Sequence, residues 1–300
     1  MTEHKERLGK RLMVLCIILL VVELVGVAAF LLWRKSLPQT PPVVPTTTVA
    51  ATVETTEEEI IWDIIADDYL YPDEPELPEN RFSAGDFDYR GDYLTCVTEP
   101  CVMGIDVSSY QGEIDWEQVK AAGFEFVMIR VGGRGYGEEG YFFTDRMADA
   151  YYKGAKAAGL QVGAYFFSQA VHEAEALEEA QLALKLTRNW ELDLPLAYDW
   201  EFVSEDARTA YIDMWTVSQC TRVFCDAVKE AGRKPMVYLS LWFGRPYFEE
   251  LIDYPIWLAL YTDEMTYPYP FDMWQYTCTG TVPGIQGDVD INIYFPPAQE

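Results

Sequence analysis

QVGAYFFS (161–168), HEAEALEEAQLALKLTRNW (172–190) and PLAYDWE (195–201) follow one another near the middle of the chain, and their reading decides the fold. The first and third are short, nearly continuous apolar runs; the second is long enough for a helix. A strand, a helix and a second strand of this kind describe a parallel sheet covered by helices, because strands buried on both faces lose the polar alternation of half-exposed ones. The same unit extends outward in both directions. MGIDV (103–107) and FEFVMIRVG (124–132) precede it, and KPMVYLS (234–240) and PIWLALY (255–261) follow. IDWEQVKAAG, FFTDRMADAYYKGAKAAG, TAYIDMWTVSQCTRVFCDAVKEAG and RPYFEELID are the helical connections, three of them closing on Ala-Gly, which suits the left-handed position that ends a helix. After Tyr261 the helical signal stops, and MWQYTCTG (273–280) and DVDIN (288–292) read as strands joined by loops. The expected fold is therefore α/β, a distorted TIM-like barrel of about five β-α units followed by three strands. No GxGxxG follows the first strand, which argues against a dinucleotide fold.

The chain before this region has a different character. Residues 13–33 (MVLCIILLVVELVGVAAFLLW) are apolar apart from Glu23, and a helix of that length spans roughly 30 Å, the hydrocarbon thickness of a bilayer. Lys5, Arg7, Lys10 and Arg11 precede it and only Arg34 and Lys35 follow closely, so residues 1–12 are expected in the cytoplasm and the remainder outside. The stretch exceeds a signal-peptide core and ends in Phe-Leu-Leu-Trp before Arg34, a poor cleavage context, so an uncleaved signal-anchor is expected. Residues 34–100 begin with prolines and threonines and then turn acidic: 15 carboxylates in 51–100 face only Arg81 and Arg90. That composition opposes compaction and reads as a disordered stalk. The catalytic domain is expected at 101–296.

Overall, 49 acidic residues against 22 basic ones give a net charge of −27, and no basic stripe exists to neutralise phosphates, so nucleic acid is excluded as a partner. Of the six cysteines, Cys16 lies in the expected membrane span. Cys220 and Cys225 point about 140° apart on one helix and do not pair readily, while Cys96 and Cys101 are close enough to close a small loop. There is no CxxC, and His4 and His172 are the only histidines, so neither a zinc site nor another metal or cofactor is expected.

In a parallel α/β barrel the chemistry sits at the C-terminal ends of the strands. The first strand ends in Gly104-Ile105-Asp106, the fourth in Tyr198-Asp199-Trp200-Glu201, and the last segment carries Asp288-Val289-Asp290. Strand side chains alternate faces, so Asp199 and Glu201 share one face, about 6.5–7 Å apart at Cα. With Asp106 and Asp290 they would converge on one mouth. Paired carboxylates of this kind serve glycoside hydrolysis, where one acid donates a proton to the leaving oxygen and another stays ionised.

GIDVSSYQGEIDW (104–116), YDWE (198–201) and WQYTCTGTVPGIQGDVDIN (274–292) resemble glycoside hydrolase family 25, the Chalaropsis-type lysozymes, over about 190 residues. The resemblance implies five β-α units plus three strands, and cleavage of the β-1,4 bond between N-acetylmuramic acid and N-acetylglucosamine in peptidoglycan. It implies Glu201 as general acid/base and Asp199 as the carboxylate assisting the substrate's 2-acetamido group, with Asp106 and Asp290 as outer acids. Whether the nucleophile belongs to substrate or enzyme stays open at this stage. A non-catalytic wall-binding module, or a hydrolase of another N-acetylated glycan, is the alternative.

Arg130 interrupts an apolar strand and needs a partner, either the mouth acids or a structural ion pair. Tyr165, Tyr261, Trp274, Gln275 and Tyr276 are candidates for the sugar-binding walls, since aromatic faces with polar tips suit sugar rings. The helix beginning at His172 reads as a solvated outer helix. The expected partners are peptidoglycan strands and the membrane through residues 13–33, with room for an unidentified membrane-protein partner, and the expected location is a bacterial cell membrane with the catalytic domain facing the wall.

Overall fold

The computed structural model describes residues 77–240 and 249–297. Among these, no helix is long and apolar enough to cross a membrane, and the span expected at 13–33 lies outside them. A hairpin of β1 (Phe87–Arg90) and β2 (Tyr93–Cys96) comes first. The barrel strands follow as β3 (Val102–Val107), β4 (Phe126–Arg134), β6 (Gln161–Ser168), β7 (Leu196–Trp200), β8 (Pro235–Ser240), β9 (Ile256–Ala259), β10 (Met273–Gly280) and β11 (Val289–Tyr294). A short β5 (Phe142–Thr144) lies on the outer edge of β4. Helices α1 (Trp116–Ala121), α2 (Ala148–Ala157), α3 (Glu173–Leu186) and α4 (Met214–Glu230) connect the early strands. The connection between β8 and β9 lies largely outside the described residues.

Seven strands from β3 to β10 run parallel, and β11 inserts antiparallel between β10 and β3, closing an eight-stranded barrel. The strand order and the late loss of helices match the reading of the sequence. Gly159 and Gly232, just past α2 and α4, both have φ of 77°, which costs a residue without Cβ little. Asp213 and His172 cap α4 and α3 by accepting hydrogen bonds from the amides of Thr216 and Glu175.

Alternation along the strands sorts the core in two. Phe126, Met128, Ala197, Met236, Trp257 and Met273 fill the barrel interior. Val127, Ile129, Phe166, Tyr198, Trp200 and Leu258 face the helices. The α4 positions Val217, Thr221, Phe224 and Val228 are buried at helical spacing against that outer face.

Three expectations need correction. Phe142–Thr144 is a strand rather than the start of α2: its residues pair with the end of β4, and Asp145 then turns the chain by accepting the amide of Met147 at 3.0 Å. Cys96 and Cys101 are free thiols, the Cys101 sulfur lying 3.4 Å from the Cys96 amide. The stalk does not extend to residue 100. Although acidic, the segment from residue 77 carries Phe82, Phe87 and Leu94, which pack on the outer face of β10 and β11, a face that no helix covers among the described residues. Phe87 meets Trp274 edge-on at 4.8 Å, and Phe82 lies 4.4 Å from Phe295.

Phe87→Ala should therefore cost about 3–5 kcal/mol, as truncation of a buried ring does, whereas Asp88→Ala on the exposed side of the same strand should cost little. Thermal unfolding of the two variants tests this; equal melting temperatures would mean that the hairpin is not part of the core.

Candidate active site

The C-terminal mouth of the barrel holds a pocket of about 180 Å³ in which the four acids singled out from the sequence meet. Asp106 and Asp290 are direct cross-strand neighbours in the β3–β11 ladder. Asp199 sits in β7 and Glu201 just beyond its end. The alternation that makes the lower barrel apolar continues upward, so the same inward positions turn polar at the strand ends.

Asp106 is held by two amides. Gln275 Nε2 and Asn292 Nδ2 both donate to its Oδ2, at 2.7 and 2.8 Å. Each amide is itself oriented: Trp257 Nε1 donates to Asn292 Oδ1 at 2.8 Å, and the Tyr238 and Tyr261 hydroxyls donate to Gln275 Oε1 at 2.9 Å. Burial pushes the Asp106 carboxyl up to about 6 against the pull of these donors. Burial and then the charge of Glu201 raise Asp199 well above the usual range, and burial raises Glu201. Asp290 is raised by burial and by the charge of Asp106. Asp199 Oδ1 has no hydrogen-bond partner among the described residues.

Glu201 leaves the sheet, so its backbone is fixed from beside it. Gln169 Nε2 donates to the Glu201 carbonyl at 2.9 Å, and Thr209 donates to Gln169 Oε1 at 2.7 Å. Arg208 bonds the Gln169 carbonyl and both oxygens of Glu175. Arg134 in turn pairs with the fully buried Glu179 at 2.8 Å. Helix α3 is thus more than the solvated outer helix expected from its alternating Glu and Ala; two of its acids anchor the mouth from behind.

Arg130 combines the two roles weighed for it. Its guanidinium lines the pocket and pairs with Asp145 at 2.9 Å, while Tyr110 lies over it at 5.1 Å. Tyr165, Tyr261 and Gln275 also line the pocket. Trp274 and Tyr276 do not: with Gln275 pointing inward, its neighbours point outward. Trp274 is fully buried, donating to the Leu260 carbonyl at 2.8 Å, and Tyr276 accepts from the Leu94 amide. Sequence reasoning missed Ser108, Tyr110, Gln111, Tyr238 and Trp257 in the wall, and Asn292 behind Asp106. Tyr238 and Asn292 were findable, since each shares the parity of an inward neighbour. Among the described residues no group of three or more His, Cys, Asp or Glu side chains is disposed to hold a metal ion.

An acid quartet with oriented amides and phenols at the mouth of an α/β barrel is the equipment of a glycoside hydrolase. Residues 105–285 match the model of glycosyl hydrolases family 25, and the chain belongs to that family. It is 30% identical over 193 residues to the autolytic lysozyme of Clostridium acetobutylicum, covering 64% of this chain and 55% of that protein. It is 29% identical over 203 residues to lysozyme M1 of Streptomyces globisporus, covering 64% of this chain and 67% of that protein. The chain thus spans little more than half the length of the first of these relatives. Among solved structures, the bacterial lysozyme from Streptomyces coelicolor aligns with a TM-score of 0.54 at 27% identity, over 65% of this chain and 92% of that one. The modular autolysin LytC from Streptococcus pneumoniae, solved in complex with a synthetic peptidoglycan ligand, aligns with a TM-score of 0.56 at 27% identity, over 65% of this chain and 47% of that one.

The raised Asp199 carboxyl has a consequence for stability. Its folded pKa lies above the unfolded value near 3.9, so the folded state holds a proton that the unfolded state releases, and stability falls as pH rises through that window. Asp199→Asn should therefore leave stability unchanged below about pH 4 and raise the melting temperature at pH 7. A variant that gains nothing at pH 7 would show that the carboxylate is not penalised by its burial.

Proposed function

We propose that this protein is a membrane-tethered muramidase that hydrolyses the β-1,4 bond between N-acetylmuramic acid and N-acetylglucosamine. The observation that carries the reading is the buried Asp199–Glu201 pair, with Asp106 and Asp290 facing it, in a chain of this family.

Burial and mutual repulsion raise both carboxyls and favour one proton shared by the pair. In the free protein that proton favours Asp199, the more buried of the two, which shares a hydrogen bond with Glu201. A substrate 2-acetamido group offers an N–H, and the unpartnered Asp199 Oδ1 is placed to accept it. Accepting it favours the Asp199 carboxylate and moves the shared proton to Glu201, beside the leaving oxygen. Glu201 then protonates that oxygen as the bond breaks, and the acetamido oxygen closes on the anomeric carbon with Asp199 balancing the positive charge. Water attacks next, giving its proton to Glu201 and restoring the starting state. Asp106 supplies negative potential toward the oxocarbenium-like centre, while Asp290, pushed up to about 9 by burial and by the charge of Asp106, keeps its proton.

The tether rests on residues 13–33, with the basic N-terminus in the cytoplasm and the barrel facing the wall. Holding the enzyme at the membrane raises its effective concentration at the wall without a separate binding module. Deleting residues 1–35 should lower wall turnover in cells and leave the rate on isolated glycan unchanged. Equal turnover in cells would remove the tether from the account.

Digestion of purified peptidoglycan should release new reducing-end muramic acid, and Glu201→Gln should lower the rate at least 10²-fold, the scale of a lost general acid. Reducing-end glucosamine would keep a hydrolase but change the bond, and preferential cleavage of chitooligomers would change the glycan. Binding to the wall with no new reducing ends from the wild type would make the domain a binding module.

A further inference from the structure

Beside the catalytic mouth runs a second, larger trough of about 830 Å³. Its near wall is the end of β10 with the loop that follows, and Tyr261, 55% exposed, lines both this trough and the catalytic pocket. The two cavities therefore share a wall. The far wall is the β1–β2 hairpin, which precedes the part of the chain matched by the family model. Two hydrogen bonds hold the hairpin in place. The Leu94 amide donates to the Tyr276 hydroxyl at 3.3 Å, and the Tyr93 hydroxyl donates to the Thr281 carbonyl at 3.2 Å.

β10 turns side chains toward this space. Its ladder with β11 shifts register twice between Gln275 and Gly280, and the Thr279 amide is already bonded to Thr277 Oγ1 at 3.2 Å. Bulges of this kind re-aim side chains, and Thr277 and Thr279 both line the trough. Tyr89, half exposed on β1, stands in the opposite wall. Asp92 and Asp263 add hydrogen-bond acceptors, and among the described residues no lysine or arginine lines the space. A carboxylate or phosphate would find no counter-charge here. The lining suits a neutral ligand with ring faces for the tyrosines, hydroxyl donors for the carboxylates and both donors and acceptors for the threonines. Those are the properties of sugars.

The catalytic pocket makes such a neighbour useful. Its volume of about 180 Å³ falls below the roughly 300–1,000 Å³ of ordinary small-molecule sites, yet a bond inside a polymer has sugars on both sides. The strand must continue beyond the pocket, and the trough begins at the residue where the pocket ends. The Tyr261 hydroxyl donates to Gln275 Oε1 at 2.9 Å, so its ring is a fixed bridge between the two.

We propose that the trough is a second glycan site, in which sugars of the strand being cut lie beyond those that flank the cleaved bond, with the Tyr89 ring of the hairpin as their outer platform. The proposal rests on the muramidase reading for the identity of the strand, and the binding it describes is separable from cleavage. A peptide would need a regular strand edge, which the bulged β10 lacks. An amine-bearing ligand would depend on Asp92 and Asp263 more than on the rings.

The test uses the full chain and peptide-free glycan strands of two lengths, the shortest that is cleaved and a long one. Tyr89→Ala should raise KM on long strands about two- to tenfold, the range of one lost ring contact, with kcat unchanged. On the shortest strands it should match the wild type, and Tyr89→Phe should restore the wild-type KM on both. Asp92→Asn/Asp263→Asn should stay within about twofold of the wild type, since an amide oxygen still accepts from a sugar hydroxyl. An equal rise at both lengths would make the hairpin a structural support, and no rise at either would empty the trough. A larger effect from the two asparagines than from Tyr89→Ala would make it a cation site. Each of these three outcomes overturns the proposal. Calorimetric titration of the Glu201→Gln chain with the same strands reads binding without cleavage. Long strands should bind more tightly than the shortest, and adding Tyr89→Ala should remove the difference, a result that supports the proposal even if no glycan is cut. Equal binding at both lengths, or a difference that survives Tyr89→Ala, overturns it.

Discussion

Barrel closure places Asp106 directly opposite Asp290, and most of the mouth follows from that register. β11 is the one antiparallel strand of the barrel, and its ladder with β3 makes these two acids cross-strand neighbours. Facing positions in such a ladder bring like charges within a few ångströms, which is destabilising unless donors intervene. Gln275 from β10 and Asn292 from β11 supply them to Asp106, and Trp257, Tyr238 and Tyr261 hold those amides in the donating orientation. A slip of one residue would turn Asp290 and Asn292 outward together and leave Asp106 unpaired. Below this ring the interior is hydrocarbon. Gly104, opposite Asn292, has no room for a Cβ because the Phe126 ring fills the space. The apolar floor is what allows a polar, mutually repelling mouth to persist.

Among the described residues no helix follows β9, and that gap explains the fate of the acidic segment from residue 77. An exposed face carrying Phe271, Trp274 and Phe295 would be an aggregation hazard. Phe82, Phe87 and Leu94 cover it, so a segment whose average composition forbids compaction is ordered by three apolar side chains. The same cover forms one wall of the trough beside the active site.

The order of the barrel strands was legible because each buried strand is an apolar run closed by a turn or capped helix. The four acids were legible for a related reason: a carboxylate at the end of such a run has little structural excuse. Legibility failed where periodicity was set aside. Trp274, Gln275 and Tyr276 are consecutive in one strand, so they could not all face one cavity; only Gln275 does. It also failed where composition was averaged. Glu175 and Glu179 look like a solvated stripe, and only the fold shows Arg134 and Arg208 waiting for them. No local pattern announces a partner more than thirty residues away.

Those distant partners matter because of where Glu201 stands. Asp106 and Asp199 lie within the ladder with paired strands on both sides, and Asp290 is paired to Asp106 of β3, but the chain leaves the sheet at Trp200. In the mechanism proposed above, a proton passed between Asp199 and Glu201 requires that neither carboxyl relax toward water as its charge changes, since relaxation would return the energy that burial stores. For Asp199 the sheet ensures this. For Glu201 the constraint comes instead through Gln169, held by Thr209 and Arg208, and through Arg208 to Glu175 on α3. The outer helix layer thereby does for one acid of the mouth what backbone pairing does for the other three, and the buried ion pairs of α3 follow from placing an acid one residue beyond the end of a strand.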